Sequence, residues 1–125
     1  MRRNRQFRWI AAASLGVVLG VMAAPGAQAL TVNAFVVSQT CINGDVVAVK
    51  LSATVPPNVL GVKYRWDFTN NGTLDTIAST NPTVTHRYLD ERRITARVVA
   101  IKPNGARASD TVTFTTRRCS GGGGG

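Results

Sequence analysis

Alternation of apolar and polar residues over short segments restricts this chain to a β fold. Val47, Val49, Leu51 and Ala53 recur at every second position. Successive side chains of a β-strand point to opposite faces, so this period of two predicts a strand with one buried face. Similar composition or alternation predicts further strands at 31–37, 62–66, 83–88, 94–100 and 111–116.

Turn-forming residues separate these segments at short intervals. The turns fall at Asn43-Gly44-Asp45, Pro56-Pro57-Asn58, Asn70-Asn71-Gly72, Asn81-Pro82 and Pro103-Asn104-Gly105. Glycine and asparagine accept positive φ, and proline interrupts a strand ladder. No stretch of the mature chain has a convincing helical period of 3.6 residues. Short strands divided by turns at this spacing predict an all-β fold, an antiparallel sandwich.

The first 29 residues have the three parts of a secretory signal peptide. A basic head with four arginines precedes a mostly apolar run from Trp9 to Ala24, and Ala27-Gln28-Ala29 supplies small residues for a cleavage site. We predict cleavage after Ala29 and export by the general secretory route. A retained signal anchor is the alternative, although the run is shorter than the ~20 residues of a comfortable span. Arg2-Arg3 also raises the twin-arginine route.

Cleavage divides the chain into a signal peptide (1–29), one domain (30–119) and a flexible Gly-rich tail (120–125). The whole chain has 15 basic and 6 acidic residues and a net charge of +9. Four of the basic residues belong to the signal peptide, so the mature chain keeps 11 against 6 and a net charge of +5. This lower charge weakens a nucleic-acid-binding interpretation.

Two stretches resemble a known domain family. Tyr64-Arg65-Trp66-Asp67-Phe68 resembles the Y-x-W-D-F signature of PKD (polycystic-kidney-disease-type) domains, and residues 81–88 are similar to that family's N-P-x-x-T-H-x-Y stretch. The resemblance covers about residues 31–116. It implies an immunoglobulin-like β-sandwich of about seven strands, in an extracellular or cell-surface protein that serves as a spacer, adhesion module or accessory binder.

Physical arguments give structural roles to four residues within these two stretches. Trp66 would fill the core between the sheets, and Tyr64 would lie on the same face of its strand. Tyr88 would bury its ring and bond its hydroxyl to the backbone, as in a tyrosine corner. The carboxylate of Asp67 would cap a turn.

The two cysteines both lie in the part predicted to be exported. Export permits a disulfide between Cys41 and Cys119. The first and last strands of an immunoglobulin-like sandwich often run parallel as neighbours, so residues just after each would lie at the same end. Closing such a loop contributes up to about 4–5 kcal/mol in the chain-entropy model. Two free thiols or an intermolecular bridge are the alternatives.

A weak calcium site is one candidate for a ligand. Asp67, Asn71 and Asp75 supply side-chain oxygens around a glycine turn, which is the ligand chemistry that calcium prefers. Only two carboxylates are present, so the affinity of such a site would be low. The alternative is a turn held by hydrogen bonds from side chains to the backbone.

An arginine-rich face is the second candidate. Its proposed members are Arg65, Arg87, Arg92, Arg93 and Arg97. Arginine binds carboxylate, sulfate and phosphate through two N–H groups at once. Such a face would bind an anionic polysaccharide or the cell envelope, whereas the alternative is a solvated sheet face that keeps the domain soluble.

Catalysis has little support in the sequence. His86 is the single histidine, and no nucleophile motif accompanies it. We therefore predict a secreted, non-catalytic, monomeric module, extracellular or periplasmic, for interaction with protein or carbohydrate or for structural spacing. An electrostatic binder of anionic polysaccharide is the alternative, and a small secreted hydrolase is a third hypothesis. No cofactor other than calcium, no nucleic-acid partner and no membrane span after cleavage are expected.

Overall fold

The structure is a computed structural model that describes residues 29–119. The signal peptide and the Gly-rich tail were predicted at residues 1–29 and 120–125, which lie outside the described residues except for Ala29. The described residues form six strands: β1 (Asn33–Asn43), β2 (Val46–Thr54), β3 (Lys63–Asp67), β4 (Val84–Leu89), β5 (Arg93–Ile101) and β6 (Arg107–Thr115). They include no helix with the length and apolar character that a membrane span requires.

The strands form two antiparallel sheets of three strands each. The first has the order β1-β2-β4 and the second has the order β3-β5-β6. We call them sheet 1 and sheet 2. The predicted all-β, immunoglobulin-like sandwich is confirmed, and the described residues form six strands where about seven were expected.

The segment after β3 explains the difference in strand number. Ser79 pairs with Tyr64 through two backbone hydrogen bonds of 2.7 and 3.1 Å, and this is a single isolated bridge. Closer to the loop, Thr76 Oγ1 accepts the Trp66 N–H at 2.9 Å, where a strand would supply a backbone carbonyl. A side-chain oxygen therefore interrupts the ladder, and this edge of sheet 2 lacks a regular fourth strand.

The core lies between the inward faces of the two sheets. Trp66 is fully buried and is paired across β3 and β5 with Val98, which is also fully buried. Tyr64 is paired with Ala100, so a large ring stands beside a small side chain. The alternating residues of β2 are buried as their pattern predicts. The Trp66 indole N–H has no hydrogen-bond partner within residues 29–119, so this side chain contributes through packing.

A β-bulge in β1 sets the direction of Cys41. The pairing with β2 shifts between Val36 and Ser38, which leaves Val37 as the extra residue, 49% exposed. Val36 and Cys41 are separated by an odd number of positions, so in a regular strand their side chains would point to opposite faces. With one extra residue between them, both oppose core positions of β2 and face the same side.

The bulge also explains where the sequence prediction of the first strand was wrong. The strand was expected at 31–37, ending where the apolar pattern breaks, but β1 continues to Asn43. Cys41 consequently lies within β1 rather than after it. The last strand was expected at 111–116 and runs instead from Arg107 to Thr115.

Candidate functional site

The first and last strands lie side by side and run in the same direction. Near the start of β1, the Ala34 N–H donates to Asp110 Oδ2 at 2.8 Å. Further along, Gln39 Nε2 donates to the Thr115 carbonyl at 3.2 Å, and the Arg117 N–H donates to Gln39 Oε1 at 2.7 Å. The residue numbers rise together, so β1 and β6 are parallel. We call this side-chain-mediated contact the β1–β6 seam.

A disulfide closes the far end of the β1–β6 seam. Cys41 and Cys119 are bonded, with 5.6 Å between their Cα atoms, and residues 29–119 contain no free cysteine. The predicted intramolecular disulfide is confirmed. The Cys119 N–H also donates to Asp90 Oδ2 at 2.8 Å, which joins the segment after β6 to the turn after β4.

Because β1 and β6 are parallel, the chain enters the domain at one end and leaves it at the opposite end. The chain reaches β1 at the end of the sandwich where β6 begins, and it leaves after β6 at the opposite end. We call these the proximal end and the distal end. The disulfide lies at the distal end, next to the departing chain.

Thr116 holds the turn between β4 and β5 against the distal end. Its hydroxyl donates to the Leu89 carbonyl at 2.7 Å and accepts the Arg92 N–H at 2.8 Å. The side chain is 2% exposed. Within this turn Glu91 has a φ of 51°, a strained value for a residue with a side chain, and these hydrogen bonds compensate for that strain.

The carboxylate of Asp67 organises the loop after β3. Asp67 is fully buried, and its Oδ1 accepts the N–H groups of Thr69 and Asn71 at 3.3 and 3.2 Å. Its Oδ2 accepts the Gly72 N–H at 2.8 Å. Positive φ values at Asn70 and Gly72, 55° and 93°, turn the backbone so that these amides point inward. Asp67 therefore caps a turn.

The other two residues of the proposed calcium site also accept backbone hydrogen bonds. Asn71 Oδ1 accepts the Thr73 N–H at 3.0 Å, and Asp75 Oδ2 accepts the Phe68 N–H at 2.8 Å. The part of the chain from 29 to 119 has no group of three or more His, Cys, Asp or Glu side chains that could hold a metal ion. Calcium binding stays a prediction, and these contacts favour the alternative, the hydrogen-bonded turn.

His86 lies in a row of aromatic rings. It stacks on Phe68, with ring centroids 4.0 Å apart and 12° between planes, and meets the edge of Tyr88 at 4.8 Å. The Tyr88 hydroxyl donates to the Phe68 carbonyl at 2.8 Å, a contact from sheet 1 to the loop of sheet 2. Burial lowers the pKa of His86 below its ordinary value, an effect that the Asp75 charge opposes, and burial raises the pKa of Tyr88.

The arginines proposed as one anion-binding set lie on different surfaces. Arg65, Arg93 and Arg97 project from the outer face of sheet 2, opposite the core-facing residues of β3 and β5. Arg87 projects from the outer face of sheet 1, and Arg92 lies in the turn at the distal end. The structure therefore brings three of the five together and separates the other two.

These features define a disulfide-bonded, immunoglobulin-like β-sandwich with a carboxylate-capped loop. The PKD domain family model matches residues 29–116, and the chain belongs to this family. The chain has no significant match among curated proteins or among solved structures. Membership in the family suggests an extracellular interaction or spacer module, and the disulfide suggests an oxidising compartment.

Several polar residues of these sites were not singled out in the sequence. Gln39, Thr76 and Thr116 act through side-chain hydrogen bonds to residues that are not their neighbours in sequence, and no local pattern marks them. The sequence pattern around Asp110 did mark it as a residue that needs a hydrogen-bond donor. It interrupts the core-facing positions of β6 between Ala108 and Val112, where an acidic residue needs a donor.

Replacement of Asp67 tests the role of its carboxylate. In Asp67→Asn one acceptor oxygen becomes an NH₂ group that faces backbone donors, so we expect the free energy of unfolding to fall by about 1–3 kcal/mol. Asp75→Asn, which affects one such bond, is the matched control and should cost less. Urea denaturation in EGTA and in calcium measures both. A calcium-dependent midpoint in the wild type that Asp67→Asn abolishes would support the calcium site instead.

The lowered pKa of His86 makes stability depend on pH. The unfolded chain takes up the proton at about pH 6.5, whereas the folded protein takes it up only at lower pH. The free energy of unfolding should therefore rise with pH through this window. His86→Phe retains the stack on Phe68 but cannot titrate, so its stability should vary less between about pH 5.5 and 7.5. Equal slopes for the two proteins would contradict this assignment.

Proposed function

We propose that this chain is an exported, non-catalytic spacer module that holds partners attached at its proximal and distal ends a fixed distance apart. The observation that carries the proposal is the β1–β6 seam closed by the Cys41–Cys119 disulfide. Family membership and the predicted signal peptide support an extracellular or periplasmic location. The packing of His86 between Phe68 and Tyr88 supports a structural role for the histidine rather than catalysis.

The position of the disulfide determines how the domain responds to tension. A pull applied before β1 and after Cys119 acts on the chain as far as Cys41 and then crosses the disulfide. The residues between the cysteines, which are 78 apart in sequence, form a covalently closed loop that bears no load. Nearly all of the core can therefore unfold without lengthening the molecule.

The disulfide prevents a large increase in the length of the domain under tension. Full extension of a segment of that size would add about 270 Å at the maximum span of an extended residue. β1 itself is already extended, so straightening it adds little. An oxidised domain is consequently a tether of nearly constant length, and a reduced domain is extensible.

Export is the first expectation of this proposal. The chain expressed with its native N-terminus should appear outside the cytoplasm with Leu30 as its first residue, because the signal peptide is removed after Ala29. Mass spectrometry of the intact protein from the periplasm or medium measures this. Retention of residues 1–29 on membrane-bound protein would indicate a signal anchor and contradict the assignment.

Single-molecule stretching tests the spacer role. We expect the oxidised mature chain, pulled through handles attached at Leu30 and at its C-terminus, to gain at most a few tens of ångströms attributable to the domain. The matched variant Cys41→Ser/Cys119→Ser should gain about 270 Å more when it unfolds. Treating the wild type with a reductant should reproduce the behaviour of the variant.

The same experiment contains the result that would overturn the proposal. If the exported wild type extends as far as the cysteine variant without reductant, the disulfide does not limit the length of the domain in its native compartment. A thiol titration of the same sample separates this outcome from a failure of the handles, because a closed disulfide leaves no reactive thiol.

A further inference from the structure

The outer face of sheet 2 carries a strong excess of positive charge. The strand register places its charged members on outward positions of β3, β5 and β6: Lys63, Arg65, Asp67, Arg93, Arg97 and Arg107. Five of these are cations and one is an anion. Alternate residues of a strand are about 7 Å apart and neighbouring strands about 5 Å apart, so the cations share one continuous surface.

The single anion of this face forms no ion pair with the arginine opposite it. Asp67 is directly opposite Arg97 in the register of β3 and β5. Its carboxylate is nevertheless occupied by the loop amides and makes no ion pair with Arg97. Within residues 29–119 the one ion pair joins Arg118 and Glu91 at the distal end. The N–H groups of the Arg97 guanidinium are therefore available to an external anion.

A depression of about 330 Å³ lies among these cations. Arg97 and Arg107 line it from β5 and β6, the loop contributes Gly72 and Leu74, and Ser109 adds a hydroxyl. Val99 forms part of its floor and is only 4% exposed, although it points away from the core. The surface thus combines two guanidinium groups, a hydroxyl and a small apolar area.

This combination matches the chemistry of an acidic sugar. Guanidinium groups bind carboxylate or sulfate through paired N–H groups, and the serine hydroxyl can bond to a ring hydroxyl. Leu74, which is half-buried in the loop wall of the depression, can contact the C–H face of a sugar ring. The strand register puts no aromatic side chain on the outer face of sheet 2, and the described Trp66 and Tyr88 are core residues. Single-stranded nucleic acid, which binds by stacking on aromatic rings, fits this surface poorly.

We infer that the outer face of sheet 2 binds an acidic polysaccharide, with one anionic sugar held in the depression between Arg97 and Arg107. The remaining cations, Lys63, Arg65 and Arg93, lie along the path of the polymer on either side. The inference goes beyond the spacer role and does not depend on it, because the disulfide and this face are at different places on the sandwich.

Binding of defined oligosaccharides tests the inference. The folded, oxidised protein is titrated with an oligogalacturonate, a heparin oligosaccharide, neutral dextran and single-stranded DNA in about 0.15 M salt, where long-range attraction is screened. Arg97→Ala/Arg107→Ala should weaken binding of at least one acidic oligosaccharide by about tenfold or more. The matched control Lys50→Ala/Arg87→Ala removes the same charge from the outer face of sheet 1 and should change the affinity less than about twofold.

A second variant covers the case in which the double alanine variant fails to fold. Ser109→Glu places a negative charge at the exposed edge of the depression and should weaken binding to a similar extent. Equal losses in the sheet 1 control and in Arg97→Ala/Arg107→Ala would overturn the inference, because attraction would then follow net charge alone. DNA binding as tight as that of the oligosaccharides, equal binding of dextran, or no binding would overturn it as well.

Discussion

The parallel contact between the first and last strands is the constraint on which the organisation of this domain depends. Each of the two sheets has only three strands, and β1 and β6 come from different sheets. The Ala34–Asp110 and Gln39–Thr115 hydrogen bonds and the Cys41–Cys119 disulfide join them along one side of the sandwich. Because the contact is parallel, the chain arrives at one end and departs at the other. The proposed spacer role rests on that geometry.

Asp67 lies between the loop after β3, which its carboxylate holds in place, and the outer face of sheet 2. Its buried carboxylate would be costly without donors, and three loop amides supply them. This arrangement shapes the loop that forms one wall of the depression. The one acidic group of the outer face of sheet 2 is thus bonded to the loop and forms no ion pair with Arg97.

The features of the site that were predicted depend on residues close together in sequence, and those that were not predicted depend on residues far apart. The core positions Trp66 and Tyr64 were predicted from local alternation, and Asp67 was expected to cap a turn because of the residues that follow it. The extent of β1 was not predicted, since the bulge at Val37 breaks the alternation without ending the strand. The distribution of the arginines over different surfaces was not predicted either, because a charge pattern does not show which sheet a strand belongs to.

The sequence by itself determined the all-β class, the positions of most turns and the family, because strand periodicity, turn chemistry and short motifs are encoded by residues close together in the chain. Only the tertiary structure decided that Arg97 and Arg107 line one depression and that Arg87 lies on the opposite sheet. It also decided that the cysteines meet at the end where the chain departs. These facts depend on strand order and register, which arise from contacts between residues far apart in sequence.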